Sequence, residues 1–380
     1  MMKPIFKKLL KFTLATLGIL ALIVAILGVM LYRNLGDLPD ESRFAHLPYY
    51  KNGQFVNLYT DDLPYYPDKA TGKGGFIRHD GYTPNGRLPM ILLDKTHFGQ
   101  PENFAYYWLG HATAILELDG QRFLIDPVFD NANPLNLPLI APRFQEAPIS
   151  RQNLPDIDVV LISHDHYDHL EATTIRHLAD KAKRFIAPLG VGARLESWGV
   201  SPDKITELGW GDSTMVGTVK LTAEPSQHYT SRWTNDRNKT LWASFVLEGS
   251  KRLYWSGDTG YAQHFSDIGK KYGGFDIAFM EIDAANAGWP KTHMFAHQSV
   301  QASLDLNAKK IVPMHWGVFS LGRNPWYESI DNAVKSAKEQ GLPIDVPKMG
   351  EKYADGFVGE NWWTQPELRR IIKTTQQKEP

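Results

Sequence analysis

Ser163-His164-Asp165-His166-Tyr167-Asp168-His169-Leu170 is the stretch on which the reading of this chain turns. It directly follows Ile157-Asp158-Val159-Val160-Leu161-Ile162, a short apolar run rich in β-branched residues that reads as a buried strand. The motif therefore lies where a strand ends and a loop opens. In extended backbone, residues two apart point to the same side, so His164 and His166 can grip one metal ion together. Asp168 and His169 are adjacent and expected to begin the next helix, so they point elsewhere and suit a second ion nearby. A solvated polar loop is the plain alternative, and three histidines with a carboxylate at this spacing outweigh it. Imidazole with carboxylate suits zinc, iron or manganese. The chain has no cysteine, so thiolate metal sites, iron–sulfur clusters and disulfides are excluded.

Such a centre needs further ligands. His228 follows VKLTAEPSQ and His315 follows KIVPM, both at expected strand ends. Asp258 lies in Ser256-Gly257-Asp258-Thr259-Gly260 after the strand RLYW, where flanking glycines let the backbone turn sharply and bring the carboxylate inward. Alone, each residue would more often cap an element or satisfy the core; beside the histidine cluster they read as ligands. His111 in LGHAT and Asp126 in LIDP are candidates for orienting ligand imidazoles from behind. Trp289 and Trp326, in loops after ligand-bearing strands, are candidates for an apolar entrance.

Outward from these residues the chain alternates strands with single helices. AYYWLGHATAILELDG and QRFLIDPVF read as two strands joined at Asp119-Gly120. RFIAPLG, TMVGTVKLTAEP, LWASFVLEGSKRLYWSGD, FDIAFMEI and KIVPMHW supply more strands. LEATTIRHLADKAK, HQSVQASLDLNAKK and SIDNAVKSAKEQG read as helices. Two packed sheets with helices outside are expected. With 380 residues, 43% hydrophobic and 22% charged, the chain is neither disordered nor fibrous. Lys+Arg 41 against Asp+Glu 42 leaves no basic field for a nucleic-acid partner.

The N-terminus departs from this texture. Phe12 to Tyr32 is free of charge and, at about 1.5 Å per residue, roughly matches the hydrocarbon core of a bilayer. It exceeds the apolar region of a signal peptide and shows no small-residue cleavage site, so an uncleaved anchor is expected. Lys3, Lys7, Lys8 and Lys11 precede the span, whereas Arg33 follows amid Asp37, Asp40 and Glu41. That asymmetry predicts a single-pass inner-membrane protein with a cytoplasmic N-terminus and a periplasmic body. The expected division is a basic N-terminus at 1–11, a span at 12–32, a turn-rich lead-in wrapping the body at 33–103, a catalytic domain at 104–350, and a tail at 351–380 containing a short basic helix.

His164–His169, His228, Asp258 and His315, in that order, resemble the ligand series of the metallo-β-lactamase superfamily. WLGHATAILELDG, FLIDPVF, SHDHYDHL, EPSQH, LWASF, SGDTGY, KKYGGFDIAF and MHWGVF resemble the branch of phospholipases D that hydrolyse N-acylphosphatidylethanolamine, and their bacterial relatives. The resemblance covers about residues 104 to 330 and implies an α/β, four-layer αββα sandwich. It implies two zinc ions, with iron or manganese as alternatives. His164, His166 and His228 would hold one, and Asp168, His169 and His315 the other. Asp258 would bridge the two, and Asp258 and Asp168 would be catalytic. Two cations lower the pKa of a shared water, and the expected reaction is phosphodiester hydrolysis of an N-acyl or plain phospholipid. Tyr167 and His297 are implied on the substrate side. A lactonase or other carboxylic-ester hydrolase is the alternative on the same ligands, and a non-catalytic envelope scaffold a third. The sequence leaves the oligomeric state open.

Overall fold

The computed structural model describes residues 4–72 and 81–369. The first three residues of the expected basic N-terminus, and the tail helix beyond Arg369, lie outside the described residues. In chain order the elements are α1 (Pro4–Leu35), β1 (Tyr50–Lys51), β2 (Gln54–Phe55), β3 (Phe104–Gly110), β4 (Thr113–Leu118), β5 (Gln121–Ile125), β6 (Val159–Leu161), α2 (Ala172–Leu178), β7 (Arg184–Pro188), α3 (Val191–Ser197) and β8 (Ile205–Leu208). Then come β9 (Ser213–Val216), β10 (Val219–Glu224), β11 (Ser244–Glu248), β12 (Arg252–Trp255), α4 (His264–Tyr272), β13 (Ile277–Glu281), α5 (Ala296–Asp305), β14 (Ile311–Met314), α6 (Glu328–Gln340) and β15 (Lys352–Tyr353).

One sheet has the order β15-β3-β4-β5-β6-β7-β8 and the other β14-β13-β12-β11-β10-β9. Each is antiparallel through its meander and parallel where helices return the chain: β5-β6-β7-β8 in the first, β12-β13-β14 in the second. The period-2 alternation of side chains sorts the core into layers. Phe104, Tyr106 and Trp108 of β3 face Leu253, Trp255 and Phe279 of the opposite sheet between the two sheets. Ala105, Tyr107 and Leu109 point outward, into the layer that holds Ile175 of α2 and Leu195 of α3. On the other side Tyr254, Ala278 and Met280 meet Phe265 of α4 and Val300 of α5. The result is the expected four-layer αββα sandwich.

Four local expectations are corrected. The run AYYWLGHATAILELDG forms two strands, not one, because the ladder shifts register after Trp108, and Gly110 (φ 104°) and His111 (φ 53°) turn the chain there. Helix α2 begins at Ala172, so Asp168 and His169 sit in the turn before it. The described part of the expected tail, residues 351–369, packs on the body: β15 pairs with β3, and Trp362 and Trp363 are buried in the inter-sheet core. Trp326, expected at an entrance, is also core, 3% exposed and stacked on Trp316.

The lead-in packs onto the body through Phe44, Tyr49 and Phe55 against Leu241 and Trp242. Helix α1 is long and apolar enough to cross a membrane, and none of its apolar window is buried against the body.

Candidate metal centre

Strands β3, β6, β10, β12, β13 and β14 all deliver a candidate site residue at or just beyond their C-terminal ends, the edge where open α/β sheets place their sites. His111 follows β3, His164 to His169 follow β6, and His228, Asp258 and His315 follow β10, β12 and β14. The two sheets bring these loops together. His164, His166, His228 and Asp258 offer ligand atoms all within 4.8 Å of one another, as do His111, Asp168, His169 and His315.

In the first group His164 Nε2 lies 2.9 Å, and His228 Nε2 3.2 Å, from His166 Nδ1. The Nδ1–H of His228 donates to the Thr292 carbonyl (2.9 Å), which turns Nε2 inward, and His164 Nδ1 lies 3.1 Å from Ser163 Oγ. In the second group the Nδ1–H of His169 donates to Asp126 Oδ2 (2.9 Å), so its Nε2 faces the site. Asp126 also accepts from the Ser163 amide and hydroxyl, which pins the start of the motif. His111 Nε2 lies 3.0 Å from Asp168 Oδ2. The His111 amide donates to the Trp316 carbonyl and the His315 amide to that of His111, so the β3–β4 turn and the loop after β14 hold each other.

Asp258 stands between the groups. Its Oδ2 is 3.6 Å from His164 Nε2 and from His228 Nε2, while its Oδ1 is 3.1 Å from His169 Nε2 and 3.0 Å from His315 Nε2. Each carboxylate oxygen thus faces one group. Gly257 (φ 55°) makes the turn, and a Cβ there would meet the Ala243 carbonyl at 2.9 Å.

Asp258 Oδ1, His169 Nε2 and His315 Nε2 are buried without a hydrogen-bond partner. Buried polar atoms left unpaired are costly, and three of them converging among the imidazoles of both groups is the arrangement that divalent cations would complete. The residues fit two such ions. Burial pushes His164, His166 and His228 down, the first and last well below the usual histidine range, leaving neutral ligand nitrogens. Burial would do the same to His169 and His315, but Asp258 and Asp168 override it: His169 is pushed well up, and His315 to about 10. Burial would likewise raise Asp168 and Asp258, yet the surrounding imidazoles hold both well below the carboxylate range.

The remaining expectations fall as follows. Tyr167 donates its hydroxyl to the Arg232 carbonyl (2.8 Å) and lies under that guanidinium, 4.0 Å from the ring centroid. His297 is exposed on the first turn of α5, stacked on Phe295, and belongs to neither group. The histidine of that segment that enters the site is His293, which sequence reasoning missed. Its Nδ1 is 2.8 Å from Glu281 Oε2 and 4.0 Å from Asp258 Oδ2, and with Asp258, Glu281 and His315 it forms a third cluster of metal-competent groups. Glu281 ends the apolar strand β13, and a charge closing such a run was the available signal. Asn57 was also missed: its side chain donates to the His228 carbonyl (2.9 Å) and accepts from the His228 amide (3.0 Å), so the lead-in clamps a candidate ligand. Asp165, between two candidate ligands, faces away and accepts from Arg194 Nε (2.6 Å).

Comparisons with known proteins bear on the family and the fold. The beta-lactamase superfamily domain matches residues 121–316. An uncharacterised protein of Mycobacterium tuberculosis is 37% identical over 316 residues, 80% of this chain and 84% of that protein. The N-acyl-phosphatidylethanolamine-hydrolyzing phospholipase D 1 of Caenorhabditis elegans is 31% identical over 254 residues, 63% of this chain and 71% of that protein. Among solved structures, a metallo hydrolase from the archaeon Ignicoccus hospitalis superposes with a TM-score of 0.53 at 19% identity, covering 67% of this chain and 99% of that one, which speaks to the fold alone. The chain belongs to the metallo-β-lactamase superfamily, with N-acyl-phosphatidylethanolamine-hydrolysing phospholipases D among its relatives, and is a metal-dependent hydrolase.

Proposed function

We propose that this hydrolase is a membrane-anchored, dinuclear zinc phosphodiesterase of phospholipase D type, acting on N-acylated or plain phospholipids. The observation that carries the dinuclear reading is Asp258, with one carboxylate oxygen toward each histidine group. In this reading His164, His166 and His228 hold one ion, Asp168, His169 and His315 the other, and Asp258 both. Bound there, the ions supply Lewis acidity toward the phosphoryl oxygens and acidify water. Asp258 orients the attacking water between the groups, and Asp168, held by His111, keeps its charge on the side that opens to solvent. His293, its ring oriented by the Nδ1 contact with Glu281, stands beside Asp258 on the edge of the site. Tyr167 and His297 are proposed on the substrate side.

The phospholipid class rests on the relatives that hydrolyse N-acyl-phosphatidylethanolamine and on α1, proposed to be the anchor with its lysines in the cytoplasm and the body, from the lead-in onward, in the periplasm. The test is turnover by the purified full chain on vesicles of N-acylphosphatidylethanolamine, of plain phosphatidylethanolamine, and on a long-chain lactone. Release of phosphatidic acid with metal-dependent rates is expected. Lactone opening without any phosphatidic acid would overturn the phosphodiesterase assignment.

A further inference from the structure

The loop between Asp126 and Gln145 is built in a way that the metal chemistry does not require. It carries no charge from Asn131 to Pro142. Leu137, Leu139 and Ile140 point into solvent, Leu139 at 73% exposed. The loop is nonetheless rigid. Asn133, itself buried, donates to the Leu137 and Ile140 carbonyls (2.9 and 2.8 Å) and accepts from the Leu135 and Leu137 amides (3.2 and 2.8 Å). One side chain thus satisfies backbone groups at the base of an apolar knuckle, and satisfied backbone is the condition for entering an apolar medium.

The knuckle is tied to the end of α1. Asn34 donates from Nδ2 to the Pro134 carbonyl (2.6 Å). The last carbonyls of that helix, which have no partner within it, are taken by the body: Arg176 and Trp198 donate to Arg33 (2.7 and 2.9 Å), Arg232 to Asn34 (3.0 Å) and Arg194 to Leu35 (2.7 Å). The helix therefore joins the body without a slack linker. Next to Arg232, Trp233 is 46% exposed.

We infer that Leu137, Leu139, Ile140 and Trp233 form a second, shallow membrane contact that inserts into the bilayer surface beside α1. The inference rests on the reading of α1 as a spanning helix. Asn34 lies two residues beyond the apolar run, so whatever is bonded to it stands at the level where the helix leaves the hydrocarbon. An apolar knuckle and an exposed tryptophan at that level are the side chains that settle in a membrane interface. The same loop begins at Asp126, which holds His169, so the contact fixes the metal centre against the lipid surface instead of letting the body tumble on a tether.

The absence of cysteine makes the test direct. Full-length Leu139→Cys, Trp233→Cys, Tyr32→Cys and Met215→Cys variants are each labelled with bimane and reconstituted in phosphatidylethanolamine/phosphatidylglycerol vesicles containing doxyl-labelled lipid. Tyr32 reports the anchor. Met215 is an exposed apolar residue on β9, next to the turn that starts β10, at the end of the sheet away from the site. The expected result is loss of fluorescence at Leu139 and Trp233 of the same order as at Tyr32, with none at Met215. Quenching at Tyr32 alone overturns the inference and leaves the anchor standing. No quenching at Tyr32 overturns both. Blue-shifted but unquenched emission at Leu139 means a protein face, such as a second copy of the chain, covers the loop, and overturns the lipid contact.

Discussion

The two sheets furnish the candidate metal centre in opposite ways. The first sheet offers His164, His166, Asp168 and His169 from one turn after β6, so local backbone alone brings them close. The second sheet offers His228, Asp258, His293 and His315 one per loop, spread over nearly ninety residues and brought together only by strand order. Each half is supported differently. Asp126 bonds directly to the His169 ring, whereas Asn57, from the lead-in, holds the backbone of His228 and leaves its ring to Thr292. A compact motif can be read as chemistry at sight, and a dispersed one becomes chemistry through the fold.

Asp258, proposed as the bridge, stands between the halves, so its loss should cost most. Asp258→Asn is expected to lower turnover by at least roughly 10³-fold while circular dichroism stays native, since charge neutralisation and nucleophile orientation go together. Near-full turnover in this variant would refute the assigned mechanism.

Single-ligand changes should split the halves. The purified full chain is expected to carry two metal ions, His164→Ala or His228→Ala to lose mainly one, and His315→Ala mainly the other. Elemental analysis of native-like protein with one ion or none in the parent chain would break the dinuclear reading.

The supports should rank by how directly they touch a ring. Asp126→Asn removes the charge behind His169 and should weaken metal affinity by about 10–100-fold. Asn57→Ala removes two backbone bonds from His228 and should weaken it less. Competition with a metal-binding dye measures both, and equal or inverted effects would show that the lead-in matters as much as the motif.

The smallest effect is expected at the edge of the motif. Tyr167→Phe removes one hydroxyl bond to the Arg232 carbonyl, worth about 1 kcal/mol in denaturant unfolding. Both metals should remain. If Tyr167 contacts substrate as proposed, KM should change more than metal content; an unchanged KM would confine its role to packing under Arg232.

Much of the candidate site was legible because its local half is periodic. The spacing of His164 and His166 on extended backbone, and the strand-end positions of His228, Asp258 and His315, follow from local rules. His293 was passed over for His297 because it lies in the irregular stretch before α5, where no period marks it, and only the packing of that stretch against β13 brings His293 to Glu281. Asn57 was invisible for a similar reason: it lies 171 positions from His228, and no local pattern links them. The break at Gly110-His111 was missed because a register shift in a buried ladder leaves an apolar run looking continuous.

By itself the sequence determined the candidate ligand types, the layered α/β class and the presence of a helix apolar enough to span a membrane, since residue type, period and apolar length are local quantities. Only the tertiary structure decided that Asp258 turns one oxygen to each histidine group, that Glu281 and His293 join them, and that Arg194 and Arg232 tie the end of α1 to the backbone and side chain of Asp165. Those are contacts between residues far apart in the chain, and they exist only because two sheets pack face to face and present their strand ends along one common edge.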